Sequence, residues 1–154
     1  MIDDFGFSVE PVTLEVLRNA FNMVAEEMSA NLIRSSYSPN IKERKDSSCA
    51  LFDPAGALVA QAENIPVHLG AMPRAVRSVL TEFDISQLEP GDAIIHNDPY
   101  NGGVHLPDIT MVSPVYEDGE ELVGFVANRA HHADVGGAYS GSLSSESKSI
   151  VAER

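Results

Sequence analysis

The sequence contains one cysteine, Cys49, so no disulfide can form within the chain. That usage fits a reducing compartment, and the expected location is the cytoplasm. No stretch approaches the roughly 18 consecutive apolar residues of a membrane-spanning helix. The first residues, Met1-Ile2-Asp3-Asp4-Phe5, are acidic and lack the basic and apolar regions of a secretory leader. Cations are scarce: 10 Lys and Arg stand against 23 Asp and Glu, a formal charge of −13. A nucleic-acid binder needs a cationic face for phosphate, so that class is excluded, as is a membrane protein. There is no G-x-x-x-x-G-K-[ST] loop, and ATP is not expected to bind this chain. Internal repeats and an internal domain boundary are also lacking.

What is present suits one globular domain. The chain has 154 residues, 44% of them hydrophobic, enough for a real core. The acidic residues are spread along its length and read as a solvated surface. After an irregular arm over residues 1–12, Thr13 is the expected N-cap. Leu14, Leu17, Phe21, Val24 and Met28 then recur at helical spacing to about Arg34. This stripe predicts a core or subunit-contact helix, with Met23 and Met28 filling core space. Pro39 acts as a breaker. A strand ending at Phe52, the turn Asp53-Pro54-Ala55-Gly56 and a return over 57–61 form a first hairpin. Counted from that turn, Asp46 falls opposite Glu63. Its local reading is a surface partner for Arg44 or Lys45.

Pro73 suits the first position of a second helix with Val76, Val79, Leu80 and Phe83 on its apolar face. His68 then falls in the preceding turn, with a hydrogen-bonding structural role. After the turn at Glu89-Pro90-Gly91-Asp92, residues 93–96 form a short buried strand in which His96 is structural. Strands over 109–116 and 121–128, joined through Glu117-Asp118-Gly119-Glu120, form the clearest hairpin. The Ser- and Gly-rich tail from Ala138 reads as loop. The fold class is α+β: a long N-terminal helix, a second shorter helix, and two β-hairpins in a mostly antiparallel sheet.

The densest chemistry lies in residues 97–108, Asn-Asp-Pro-Tyr-Asn-Gly-Gly-Val-His-Leu-Pro-Asp. Pro99 and Pro107 fix φ and donate no backbone bond. Gly102 and Gly103 permit close backbone approach. His105 and Asp108 present an imidazole and a carboxylate three residues apart. With the second hairpin's turn centred between Asp118 and Gly119, residue 108 falls opposite about 129 and residue 105 opposite about 132. His105 and Asp108 therefore emerge at the same open end as His131, His132 and Asp134, where cross-strand neighbours stand about 5 Å apart. Two histidines and one or two carboxylates suit a divalent transition metal such as Zn, Mn or Fe. The alternative is a hydrogen-bonded His–Asp clasp without metal.

Four stretches carry a family resemblance: residues 42–53 (Lys-Glu-Arg-Lys-Asp-Ser-Ser-Cys-Ala-Leu-Phe-Asp), His68-Leu69-Gly70-Ala71-Met72, residues 97–108, and Asn128 to Gly137. Together with Gly141-Ser142, they resemble the N-terminal part of the hydantoinase B/5-oxoprolinase family, which includes acetone and acetophenone carboxylase subunits. The likeness runs from about Pro11 onward. Residues 1–154 are expected to correspond to the first quarter or third of a longer hydantoinase B-like chain. Arg154 departs from the glycine usual there.

The resemblance implies an ATP-dependent hydrolase of cyclic amides such as a hydantoin or 5-oxoproline. A hydantoinase A-type partner subunit would bind ATP and phosphorylate the amide oxygen, in a hetero-oligomer. A ketone carboxylase subunit, or a non-catalytic fragment that only docks on a partner, is the alternative. The family's metal ligands fall on Asp46, His105, Asp108 and His131, with His131 preferred over His132 by the family pattern. Adjacency to His131 makes His132 and Asp134 the candidates for moving protons or orienting a ligand.

Overall fold

A computed structural model describes residues 9–142 and 144–153. Its helices are α1 (Pro11–Ser35), α2 (Pro39–Lys42) and α3 (Val67–Glu82), with short 3-10 turns at Ile85–Gln87 and Ile150–Glu153. Its strands are β1 (Ser47–Phe52), β2 (Leu58–Glu63), β3 (Ile94–His96), β4 (Asp108–Glu117) and β5 (Glu121–His131). The five strands form one antiparallel sheet in the order β2-β1-β5-β4-β3. Both expected hairpins are present, and the β1–β5 pairing joins them into this sheet. The α+β class is borne out.

α3 covers one face. Met72, Val76 and Val79 recur on one side of the helix and pack on Ala50, Phe52, Val112, Phe125 and Ala127. Those strand residues share a face because side chains alternate along each strand. Burial of this set is the chief apolar contribution to the fold. Pro73 lies inside α3, not at its start, and His68 is therefore helical. An internal proline forfeits one helical hydrogen bond, and the helix persists because its apolar face is anchored on both sides of that position.

α1 lies on the other face, against β1 and β2. It starts at Pro11, with Glu10 as an extended N-cap that makes no side-chain bond, so Thr13 is not the cap. Pro39 does not simply end a helix; it opens the short turn α2. α1 buries only Ala25 and Ser29, and Ala25 packs on Ala60 and Ala62. Small residues let helix and sheet approach closely, but they fill little volume. The expectation of a core helix is corrected: Leu14, Leu17, Phe21 and Val24 are exposed, and so is Met23, at 71%. A 25-residue helix is about 37 Å long, whereas a six-residue strand spans about 20 Å. The strands beneath α1 are thus too short to cover its stripe.

Two irregularities move the expected registers. In the first hairpin Gly56 N–H donates to the Asp53 carbonyl (3.0 Å), as the turn reading requires. The strands already start one residue off the expected register, at Phe52↔Leu58, and a break between Leu51 and Phe52 adds one more, so Glu63 pairs with Ser48, not Asp46. In the second, the turn pairs Glu117 with Glu121, one residue off the expected register, and a bulge between Val115 and Tyr116 adds one more, so Asp108 stands opposite His131, not residue 129. Gly124 sits at this bulge, where a Cβ would collide with the Phe52 carbonyl oxygen. β3 is an edge strand: Ile94 is buried and Ile95 is 69% exposed, which corrects its reading as a buried strand.

Candidate metal centre

The site lies where the polar end of the α3-covered face meets the loop after β3. Asn97 Nδ2 donates to the Leu106 carbonyl (2.9 Å) and ties the base of that loop. Asp108 N–H donates to the His105 carbonyl (3.0 Å), which folds the last turn so that His105 stands over Asp108. His132 N–H donates to the Pro107 carbonyl (2.8 Å), extending the β4–β5 ladder past its formal end. The bulged register does the rest, because Asp108 and His131 are directly cross-strand partners.

Asp108 is 3% exposed and stands amid three imidazoles. His131 Nδ1 is 3.2 Å from Oδ1, His105 Nδ1 is 3.5 Å from Oδ2, and His68 Nε2 is 3.8 Å from Oδ2. The rings of His105 and His131 meet edge to face, centroids 5.0 Å apart. One ligand atom from each of His105, Asp108 and His131 lies within 4.8 Å of the others. His105 Nδ1 is buried and has no hydrogen-bond partner. Two nitrogens and a carboxylate that converge, one of them unsatisfied, fit a divalent metal of the Zn, Mn or Fe type.

Burial pushes the Asp108 carboxyl up. The facing His68, the charge of His105 and the contact with His131 outweigh this, and it titrates below its ordinary value. Asp108 is therefore an anion near neutral pH, as a ligand must be.

Behind this cluster stand residues that sequence reasoning missed or placed otherwise. His68 is 1% exposed, and its Nδ1 is 2.9 Å from Ser48 Oγ. When Ser48 donates its hydroxyl proton to Nδ1, the neutral ring carries its proton on Nε2, toward Asp108. This is the tautomer a carboxylate-orienting histidine needs. The expected hydrogen-bonding role of His68 is thus observed, and its partner is Ser48. Arg129 is fully buried; its Nε donates to Thr110 Oγ1 (2.8 Å), while both terminal nitrogens have no partner. Burial lowers its pKa, and the negative charge of Asp108 opposes that shift. Ser48, Thr110, Asp108 and Arg129 share the α3 side of the sheet through the registers Ser48↔Arg129 and Thr110↔Arg129.

The remaining expected site residues are placed as follows. Asp46 lies outside the three-residue ligand group, yet its backbone carbonyl accepts the His131 N–H at 3.0 Å. The two residues are thus immediate neighbours at the start of β1 and the end of β5. His132 is exposed. Asp134 is exposed too, and its carboxylate organises the loop after β5: Oδ1 accepts from Gly136 N–H (2.8 Å) and Ser142 Oγ–H (2.9 Å), and Oδ2 accepts from Gly141 N–H (3.0 Å). The Gly141 and Gly136 amides, followed by the Ser142 hydroxyl, hold its carboxyl below the usual range.

Comparison with known proteins places this arrangement. The family model described as Hydantoinase B/oxoprolinase matches residues 10–153, and the chain belongs to that family. The 5-oxoprolinase 1 of Arabidopsis thaliana is 50% identical over 142 residues, which are 92% of this chain and 11% of that protein. A putative B-type subunit of a D-/L-hydantoinase from Pseudomonas sp. is 36% identical over 137 residues, 87% of this chain and 23% of that one. The crystal structure of the ATP-dependent caprolactamase from Pseudomonas jessenii matches with a TM-score of 0.85 at 35% identity, covering 96% of this chain and 25% of that chain. The chain thus spans about a tenth to a quarter of the length of these relatives. Among the described residues no helix is long and apolar enough to cross a membrane.

Proposed function

We propose that this chain supplies the metal-binding part of an ATP-dependent hydrolase of small cyclic amides. The observation that carries the reading is the convergence of His105, Asp108 and His131 on one buried carboxylate. The names of the relatives, a 5-oxoprolinase, a B-type hydantoinase subunit and an ATP-dependent caprolactamase, supply the reaction class. The Pseudomonas sp. relative is named as one subunit of its hydantoinase. That supports a separate hydantoinase A-type partner, which would bind ATP and activate the amide oxygen in a hetero-oligomer. A buried thiol without a disulfide partner, Cys49, accords with a cytoplasmic setting. Residues 1–154 would form the N-terminal portion of the hydantoinase B-like domain.

In this reading Asp46, His105, Asp108 and His131 would hold the ion; the Asp46 backbone already bonds the His131 N–H. A bound divalent ion would polarise an oxygen and lower the pKa of water. His68, fixed by Ser48, keeps Asp108 oriented. The Asp108 charge in turn favours the charged form of the buried Arg129. His132, exposed beside His131, moves protons to and from the reacting groups. Asp134 acts as a positioning residue, because its carboxylate holds the loop that flanks His132.

The test is turnover after adding an A-type partner, followed as ADP release that depends on 5-oxoproline or a hydantoin. Wild-type activity with at least a hundredfold loss in Asp108→Ala is expected. Undiminished turnover in that variant would sink the reading. His132→Gln should lower kcat more than it raises KM.

A further inference from the structure

A second concentration of chemistry lies on the flank of α3, where the loop after β3 runs along the helix. Gly102 has φ +98°, and a Cβ there would stand 2.9 Å from the Arg74 carbonyl oxygen and 3.1 Å from Ser78 Cβ. Only a residue without a side chain lets the loop lie so close. Asp98 closes the loop's own turn: its carbonyl accepts Gly103 N–H (2.9 Å) and its Oδ1 accepts Tyr100 N–H (2.9 Å).

This seating leaves a groove in two parts, of about 220 and 290 Å³, which share Ser78, Glu82 and Asn101. Ser78, Thr81 and Asn101 give it polar lining residues. On its outer wall Arg74 and Arg77 stand three residues apart on one helix. Among the described residues neither is within 4.0 Å of a carboxylate. In a chain of formal charge −13, they put two positive charges on the wall of one groove.

We propose that this groove binds the oxyanion end, phosphate or carboxylate, of a small molecule. Guanidinium groups present paired N–H donors that match paired oxygens. The Asn101 amide, on the loop, lines both parts of the groove and adds a neutral donor. Glu82 stands at the shared end and repels a second anionic group, so the remainder of the ligand is uncharged or carries an N–H or O–H donor there. The loop that forms the groove through Gly102 also carries His105. The inference does not depend on the reaction proposed above.

The experiment is titration of the full chain with inorganic phosphate and, separately, with acetate at constant ionic strength, read by backbone amide shifts. Saturable movement of the Asn101 and Gly102 amides is expected, and the tighter-binding probe identifies the oxyanion. Arg74→Gln combined with Arg77→Gln should weaken binding at least tenfold. Both arginines are exposed, so this variant should keep the wild-type thermal melt. His105→Ala should bind the probe as wild type does, which separates the groove from the metal centre. Absence of saturable shifts with either probe, or equal binding in the double variant, would overturn the proposal.

Discussion

α3 lies over one face of the sheet, and the two ends of that face differ in kind. At one end Phe52, Val76, Val112 and Phe125 interlock as hydrocarbon. At the other, within the same strands and under the same helix, Ser48, His68, Asp108, Thr110 and Arg129 are just as buried. The apolar end gains stability from area removed from water. The polar end loses solvation and recovers it only through specific contacts: Ser48 with His68, Thr110 with Arg129, and Asp108 with its imidazoles. One end therefore tolerates repacking and the other does not. The comparison teaches where stability and chemistry are separated in this fold.

The largest effect on this contrast should come from Phe125→Ala, which removes one of the two phenylalanines of the apolar end. A loss of about 3–5 kcal/mol in denaturant unfolding is expected. A loss below about 1 kcal/mol would mean that the apolar end does not anchor the sheet.

A smaller effect tests the alternation that separates Cys49 from Ser48. Cys49 faces away from His68 into the interior near α1, and burial pushes its thiol up to about 11 from an ordinary 9.0. A raised pKa contributes stability that is whole below the unfolded value and is lost as pH rises toward the folded one. Stability should therefore fall by about 2–3 kcal/mol between the two values, and Cys49→Ala should flatten that slope in alkaline unfolding titrations. An unchanged slope in Cys49→Ala would place the titrating group elsewhere.

At the polar end, Ser48→Ala should lower metal affinity about 10- to 100-fold by releasing the His68 tautomer. His68→Gln, which keeps an N–H donor near Asp108, should lose less than His68→Ala. Competition with a chromophoric chelator measures both, and equal losses for Gln and Ala would remove the donor role. The smallest effect is expected from Asp134→Ala. Faster hydrogen exchange at the Gly136 and Gly141 amides should appear with metal content unchanged, because the carboxylate holds only its own loop.

Much of this was legible in the sequence. Periodicity located the long helix and both hairpins, and turn chemistry located Asp53-Pro54-Ala55-Gly56. The loop over 97–108 announced itself through its proline, glycine, histidine and acid content. Three things were hidden, each for a physical reason. The turn pairs Glu117 with Glu121, one residue beyond the expected register, and a bulge adds one more, so the Asp108↔His131 register was displaced by two. A proline inside a helix looks the same as one that starts it, so α3 read as beginning at Pro73. The Ser48↔Arg129 neighbourhood depends on β1 pairing with β5, and nothing within either hairpin's own pattern specifies a partner in the other. The α1 stripe misled in another way, since periodicity reports which residues share a face and not whether anything covers it.

The central claim is that His105, Asp108 and His131 are a metal centre rather than a hydrogen-bonded clasp. Elemental analysis of the purified chain, beside His105→Ala and Asp108→Ala, tests it most directly. The account predicts about one tightly held transition metal per chain, lost in both variants. A well-folded wild-type chain that takes up no metal when Zn, Mn or Fe is supplied would contradict it.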